Sequence, residues 1–126
     1  MGVTLFDLVA DEVIFDVNFW HWRAIVEAIR SLDVLPAVTV DALHAPFIGE
    51  LSEQDARLVA EAISTRLLPT LNDDERLLFD GKRTTEPDDG TFHREPAEQH
   101  RNYSTNRAVL ARFADCCATC AGFRVG

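Results

Sequence analysis

Gly2-Val-Thr-Leu-Phe-Asp-Leu-Val-Ala-Asp-Glu-Val-Ile-Phe-Asp-Val-Asn18 carries two competing periodicities, and which one wins decides the class of fold. Leu5, Leu8, Val9 and Val13 lie at helical spacing, whereas Val13-Ile14-Phe15 reads as a short buried strand. The expectation is a short helix or turn leading into an extended piece.

Beyond this stretch the helical signals are plain. Asn18 is a good N-cap, and after it Trp22, Ile25, Val26, Ile29 and Leu32 form an apolar stripe opposite Arg23, Glu27 and Arg30. The helix should end near Leu32, ahead of Pro36. Thr39 to Ile48 suits a short helix interrupted at Pro46, with Leu43 and Phe47 turned inward. Ser52, with Asp55 three residues on, opens a helix whose face holds Ala56, Val59, Ala60, Ile63 and Leu67, and which Pro69 stops. Leu77-Leu78-Phe79, Asp80-Gly81 and Lys82-Arg83-Thr84-Thr85 predict a hairpin with a two-residue turn. Glu86 to Tyr103 is a long polar connection broken by Pro87, Gly90 and Pro96. Ser104 is read as the cap of a last helix carrying Val109, Leu110, Phe113, Cys116, Cys117 and Cys120, with Gly122 just past its end. Together these predict a mainly α-helical single domain over 1–126: a compact bundle of three to four helices, a small β-hairpin and a long ordered loop.

Length and charge narrow the function. At 126 residues, 47% hydrophobic and 26% charged, the chain is large enough for a hydrophobic core without disulfides or a structural metal, and no cofactor is implied. Twelve Lys and Arg against 21 Asp and Glu leave a net −9, which repels nucleic-acid backbones and anionic membranes. The first residues lack the basic start of a secretory signal, and no apolar run approaches the roughly 20 residues of a membrane-spanning helix. Three cysteines confined to Cys116, Cys117 and Cys120 make no disulfide framework, so a cytoplasmic, reducing setting is expected. The acidity is uneven: residues 1–81 carry net −10 and residues 82–126 net +1. An acidic surface that meets a basic partner would therefore belong to the early helices.

Three groups of residues have the composition of sites. Cys117-Ala-Thr-Cys120 with Cys116 has the spacing of a redox pair or of half a zinc site, which His93 or His100 would complete from the loop. The expected C-terminal position on a helix opposes thiolate formation, and core packing is the simpler role. In and beside the loop, Arg83, Asp88, Asp89, His93, Arg94, His100 and Arg101 supply an imidazole base and guanidinium groups for an anionic ligand. In Phe19-Trp20-His21-Trp22, Trp20 projects away from the apolar stripe. Either the chain's own N-terminal segment covers it, or Trp20 and Phe19 anchor a partner or a second copy.

Asn18-Phe-Trp-His-Trp-Arg23, Glu86-Pro-Asp-Asp-Gly-Thr-Phe92, Asn102-Tyr-Ser104, Arg112-Phe-Ala-Asp-Cys-Cys117 and Gly122-Phe-Arg-Val125 together resemble a group of small bacterial proteins of uncharacterised function. The resemblance implies a bacterial cytosolic origin and brings no activity with it. The elbow, phosphate-loop and H-E-x-x-H signatures of common enzymes are missing from the sequence. The leading expectation is thus a non-enzymatic interaction protein that docks or neutralises a basic protein partner or self-associates as a homodimer, with no nucleic-acid or membrane partner. Beside it stand a small enzyme or ligand-binding protein with its site at residues 83–103, and a zinc-binding protein.

Overall fold

The computed structural model describes residues 2–87 and 92–126. It replaces the expected mainly helical bundle with a mixed α/β architecture containing two antiparallel sheets. The opening stretch is where the expectation fails. Gly2–Asp7 (β1) and Val13–Asn18 (β2) form a hairpin in which Val3, Leu5 and Asp7 alternate inward. The register shifts after Leu5↔Phe15 to Phe6↔Val13, so Ile14 is a bulged extra residue. That bulge lets the consecutive Ile14 and Phe15 both reach the core.

Asn18 then caps Phe19–Leu32 (α1), its side chain accepting the His21 N–H at 2.8 Å. All five residues of the expected stripe are buried. Trp22 is the largest of them, and its indole N–H donates to the Leu43 carbonyl at 2.9 Å, tying α1 to the short helix Ala37–Ala42 (α2). Next come Glu50–Ser52 (β3) and Glu53–Ala62 (α3), the latter capped by Ser52 and continued by a wider turn, Ile63–Leu67. Arg57 on α3 donates to the Cys117 carbonyl at 2.6 Å, so one helix satisfies an end carbonyl of another.

The expected hairpin exists as Arg76–Leu78 (β4) and Arg83–Thr84 (β5), but four residues, Phe79-Asp80-Gly81-Lys82, join the strands, with Gly81 at φ 88°. Ser104 is not a cap: Ser104–Asn106 is a strand (β6), and Asn106 caps Arg107–Thr119 (α4), accepting the Val109 N–H at 2.9 Å. Nor does the chain merely trail off at Gly122. It turns there at φ 88° into a strand, Gly122–Val125 (β7).

The larger sheet runs β2-β1-β7-β3 and the smaller β5-β4-β6. Inward side chains of the larger sheet, including Leu5, Phe15, Leu51, Phe123 and Val125, meet α1, α3 and α4 in one core, whose centre stacks Trp22, Phe113 and Phe123 edge to face. Its other face carries Thr4, Asp16, Glu50 and Arg124, so the arrangement is two-layered. The smaller sheet lies on α1 through β6, where the buried Thr105 hydroxyl meets the His21 ring at 3.1 Å. Among the described residues no helix is long and apolar enough to cross a membrane.

Candidate functional site

The smaller sheet brings two aromatic residues over the first turns of α1. Phe79 follows β4 and Tyr103 precedes β6, and the Phe79 N–H donates to the Tyr103 carbonyl at 3.0 Å, extending the ladder between the two strands. Their rings are 5.7 Å apart. Beneath them, Phe19 and Arg23 are one turn apart on α1 and share a face. The Arg23 guanidinium carbon lies 4.7 Å from the centre of the Tyr103 ring and 5.5 Å from those of Phe19 and Phe79. Three ring faces therefore hold one cation, at about 0.5–2 kcal/mol for each favourable contact.

No carboxylate accompanies that cation among the described residues, and the Arg23 Nε is buried with no hydrogen-bond partner. An unmade bond of this kind costs about 1–3 kcal/mol. Arg23, Phe79 and Tyr103 open onto a pocket of about 330 Å³, closed on its other sides by Pro96, Gln99 and His100. These last three belong to a 3₁₀ segment, Pro96–Asn102, in the long connection. Asn102 pins the segment by bonding both backbone groups of His93, accepting its N–H at 2.7 Å and donating to its carbonyl at 2.8 Å. The described part of the connection from Phe92 to Tyr103 thus forms a wall of the pocket.

Among the described residues expected to make a loop site, only His100 lines this pocket, and it faces Asp80 at 3.4 Å. Arg83 is turned away, donating to the carbonyl and hydroxyl of Thr70. Arg101 is occupied by Glu86 and Glu98, each at 3.2 Å, and Arg94 is exposed. His93 contributes backbone rather than its ring to the bonds with Asn102. Asp88 and Asp89 lie outside the described residues. Arg23 was missed because the helical stripe assigns it to the solvent side of α1. Its spacing from Phe19 is the only local signal.

The metal expectation gains no geometry: among the described residues no group of three or more His, Cys, Asp or Glu is placed to hold a metal ion, so Cys116, Cys117 and Cys120 form no such site with His93 or His100. Cys117 and Cys120 are buried core residues and Cys116 packs against them. Burial, reinforced by Cys120, pushes the Cys116 thiol up to about 12, and burial reinforced by Cys116 and Cys120 drives that of Cys117 well above its ordinary value. Both are thiols rather than thiolates at neutral pH. Trp20 is 39% exposed, leaning on Tyr103 at 5.1 Å and Phe92 at 6.0 Å, so its own chain covers one side of it, through the loop rather than the N-terminal segment. Phe19 is tucked against the core.

Fold and site together define a two-layer α/β protein with a small pocket built around an aromatic-caged arginine. No protein-family model, curated protein or solved structure matches the chain.

Proposed function

We propose that this protein binds a small anionic ligand, of the carboxylate class, in the Arg23 pocket. The observation that carries the reading is the Arg23 guanidinium: positioned by three rings, without an anionic partner among the described residues, and open to a cavity. An incoming carboxylate would accept from its N–H donors in a charge-assisted, two-pronged bond. The cavity lies at the small end of ligand sites and suits a metabolite-sized acid rather than a dinucleotide. The Phe79 and Tyr103 rings that line the pocket favour an apolar, planar group behind the carboxylate. Gln99 and His100 supply polar contacts along the wall.

The pocket offers a holder for charge and, among its described lining residues, no activated nucleophile, which favours binding over catalysis. Three free thiols fit a cytoplasmic, reducing setting. Titration with benzoate, acetate and inorganic phosphate, followed by calorimetry and by tryptophan fluorescence through the Trp20–Tyr103 contact, tests the proposal. Benzoate should bind saturably and more tightly than acetate or phosphate. Arg23→Met, which keeps the packing of the side-chain stem, should weaken it at least about tenfold while leaving the fold intact. Absence of saturable binding by all three anions, or equal binding to the variant, overturns the assignment.

A further inference from the structure

The loop between α2 and β3 contradicts the expectation that Phe47 turns inward. Phe47 is 86% exposed, Ile48 71%, and Val38 on the first turn of α2 75%. Backbone bonds hold this arrangement. The Phe47 N–H donates to the Val125 carbonyl at 2.8 Å, and the Val125 N–H returns to the Gly49 carbonyl at 2.8 Å. Gly49 sits so tightly beneath α2 that a Cβ there would lie 2.6 Å from the Ala42 carbonyl oxygen. The loop is therefore fastened to the sheet on one side and to α2 on the other.

Fastening it this way places Phe47 at φ 66°, in the left-handed region that costs a side-chain-bearing residue about 1–2 kcal/mol. The ring recovers none of that by burial within its own chain. Gly or Asn would make the same turn at lower cost. A strained backbone that holds an aromatic side chain in water is an anchor prepared in advance for something else.

We propose that Phe47 and Ile48 anchor a docking surface for a basic protein partner. The charge of the segments that lead into and out of the loop selects that partner, Arg124 opposite Glu50 being paired with Asp11. Residues 31–56 hold Asp33, Asp41, Glu50, Glu53 and Asp55 and no Lys or Arg. Asp41 is engaged by Arg30 and Glu53 by Arg57, but Asp33, Glu50 and Asp55 have no ion pair among the described residues. Asp41 near the end of α2 and Glu50 at the start of β3 flank the loop, and Glu53 and Asp55 follow in the first turn of α3. A second copy of the chain fits this surface poorly, since it would bring the same carboxylates and a net −9 of its own. Area points the same way: three such side chains offer on the order of 400 Å² of apolar surface, against roughly 800 Å² per partner in a standard interface. The rest of the attraction falls to charge, which a Lys- or Arg-bearing surface with one apolar pocket supplies.

The test is selection from a displayed random-peptide library on the immobilised protein, with counter-selection on Phe47→Gly. Enriched peptides should carry Lys or Arg beside an apolar residue. Synthesised, they should bind the unaltered protein at least about tenfold more tightly than Phe47→Gly or Ile48→Ser, and lose affinity as salt is raised. Phe47→Gly should keep or raise its urea midpoint, which separates loss of docking from loss of fold. Neutral or acidic enriched peptides, no enrichment over the Phe47→Gly control, a lowered midpoint in that variant, or a dimer in sedimentation that Phe47→Gly dissociates would each overturn the proposal.

Discussion

Gly81 and Gly122 have the same φ, 88°, in opposite surroundings, and replacing each with alanine separates two costs that are usually measured together. An alanine Cβ at Gly81 would meet nothing within 4 Å, whereas at Gly122 it would lie 2.6 Å from the Leu51 carbonyl oxygen, 2.8 Å from Leu8 Cδ1 and 2.9 Å from the Glu53 nitrogen. The backbone term is common to both. It costs about 1–2 kcal/mol in the left-handed region, offset by about 0.4–1 kcal/mol because alanine restricts the unfolded chain. Gly81→Ala should therefore lose between about zero and about 1.6 kcal/mol. Gly122→Ala adds overlap with two backbone atoms that cannot rotate away, and relief requires β3 to move off β7; overpacking of this kind adds about 1–3 kcal/mol. Urea unfolding at one temperature, with slopes compared to confirm that the same surface is exposed, reads both. Gly122→Ala should unfold at clearly lower urea than Gly81→Ala. Equal midpoints would show that the close approach of β3 to the start of β7 is not real.

Two further outcomes follow. Asp7 accepts the N–H groups of Ala10 and Ala121 at 2.8 Å and of Val9 at 3.0 Å, and these bonds hold its carboxyl below the ordinary range against the opposing pull of burial. Because the folded value lies below the unfolded one, the stabilisation is complete above about pH 4 and is lost as pH falls through the folded value. Asp7→Asn should thus lower Tm at neutral pH by an amount that shrinks on acidification, and a gap that does not change with pH would refute this. The thiols give a simpler reading: in the native protein, Cys116 and Cys117 should react with Ellman's reagent far more slowly than in denaturant, and fast native reaction of either one, identified by mass spectrometry, would contradict their raised thiol pKa values.

The helices were legible where a polar cap preceded an unbroken apolar stripe, as at Asn18 and Ser52. Among the strands, the hairpin around Asp80-Gly81 and the Val13-Ile14-Phe15 piece of β2 were legible too, but β1, β3, β6 and β7 were not, for identifiable reasons. In β1 the inward positions are Val3, Leu5 and Asp7, and a carboxylate in the third breaks the alternation that announces a strand. The turn that follows has no glycine and uses Asp11 at φ 55° instead. β3 and β6 have three residues each, too few for any period to be visible. Ser104 was mistaken for a cap because Asn106, two residues on, offers the same chemistry to the same helix. Phe47 was read inward on hydrophobicity alone, whereas its direction is set by a backbone bond to Val125, far along the chain. The pocket had the same difficulty. His100 and the loop were visible as candidates, but Arg23 acquires its meaning only when Phe79 and Tyr103 arrive from the smaller sheet.

The position of β7 between β1 and β3 also sets the order in which the molecule can be made. β3 has no neighbour in its sheet other than β7, and β1 is joined to it only through β7. A ribosome that has not yet translated Gly122 to Val125 can release a β1–β2 hairpin and helices with apolar faces, but it cannot join them into one sheet. Pairing between such distant segments is slow because a long loop must close before any bond repays it. During synthesis the exposed edges of β1 and β3 are the surfaces on which a chaperone would have most to protect.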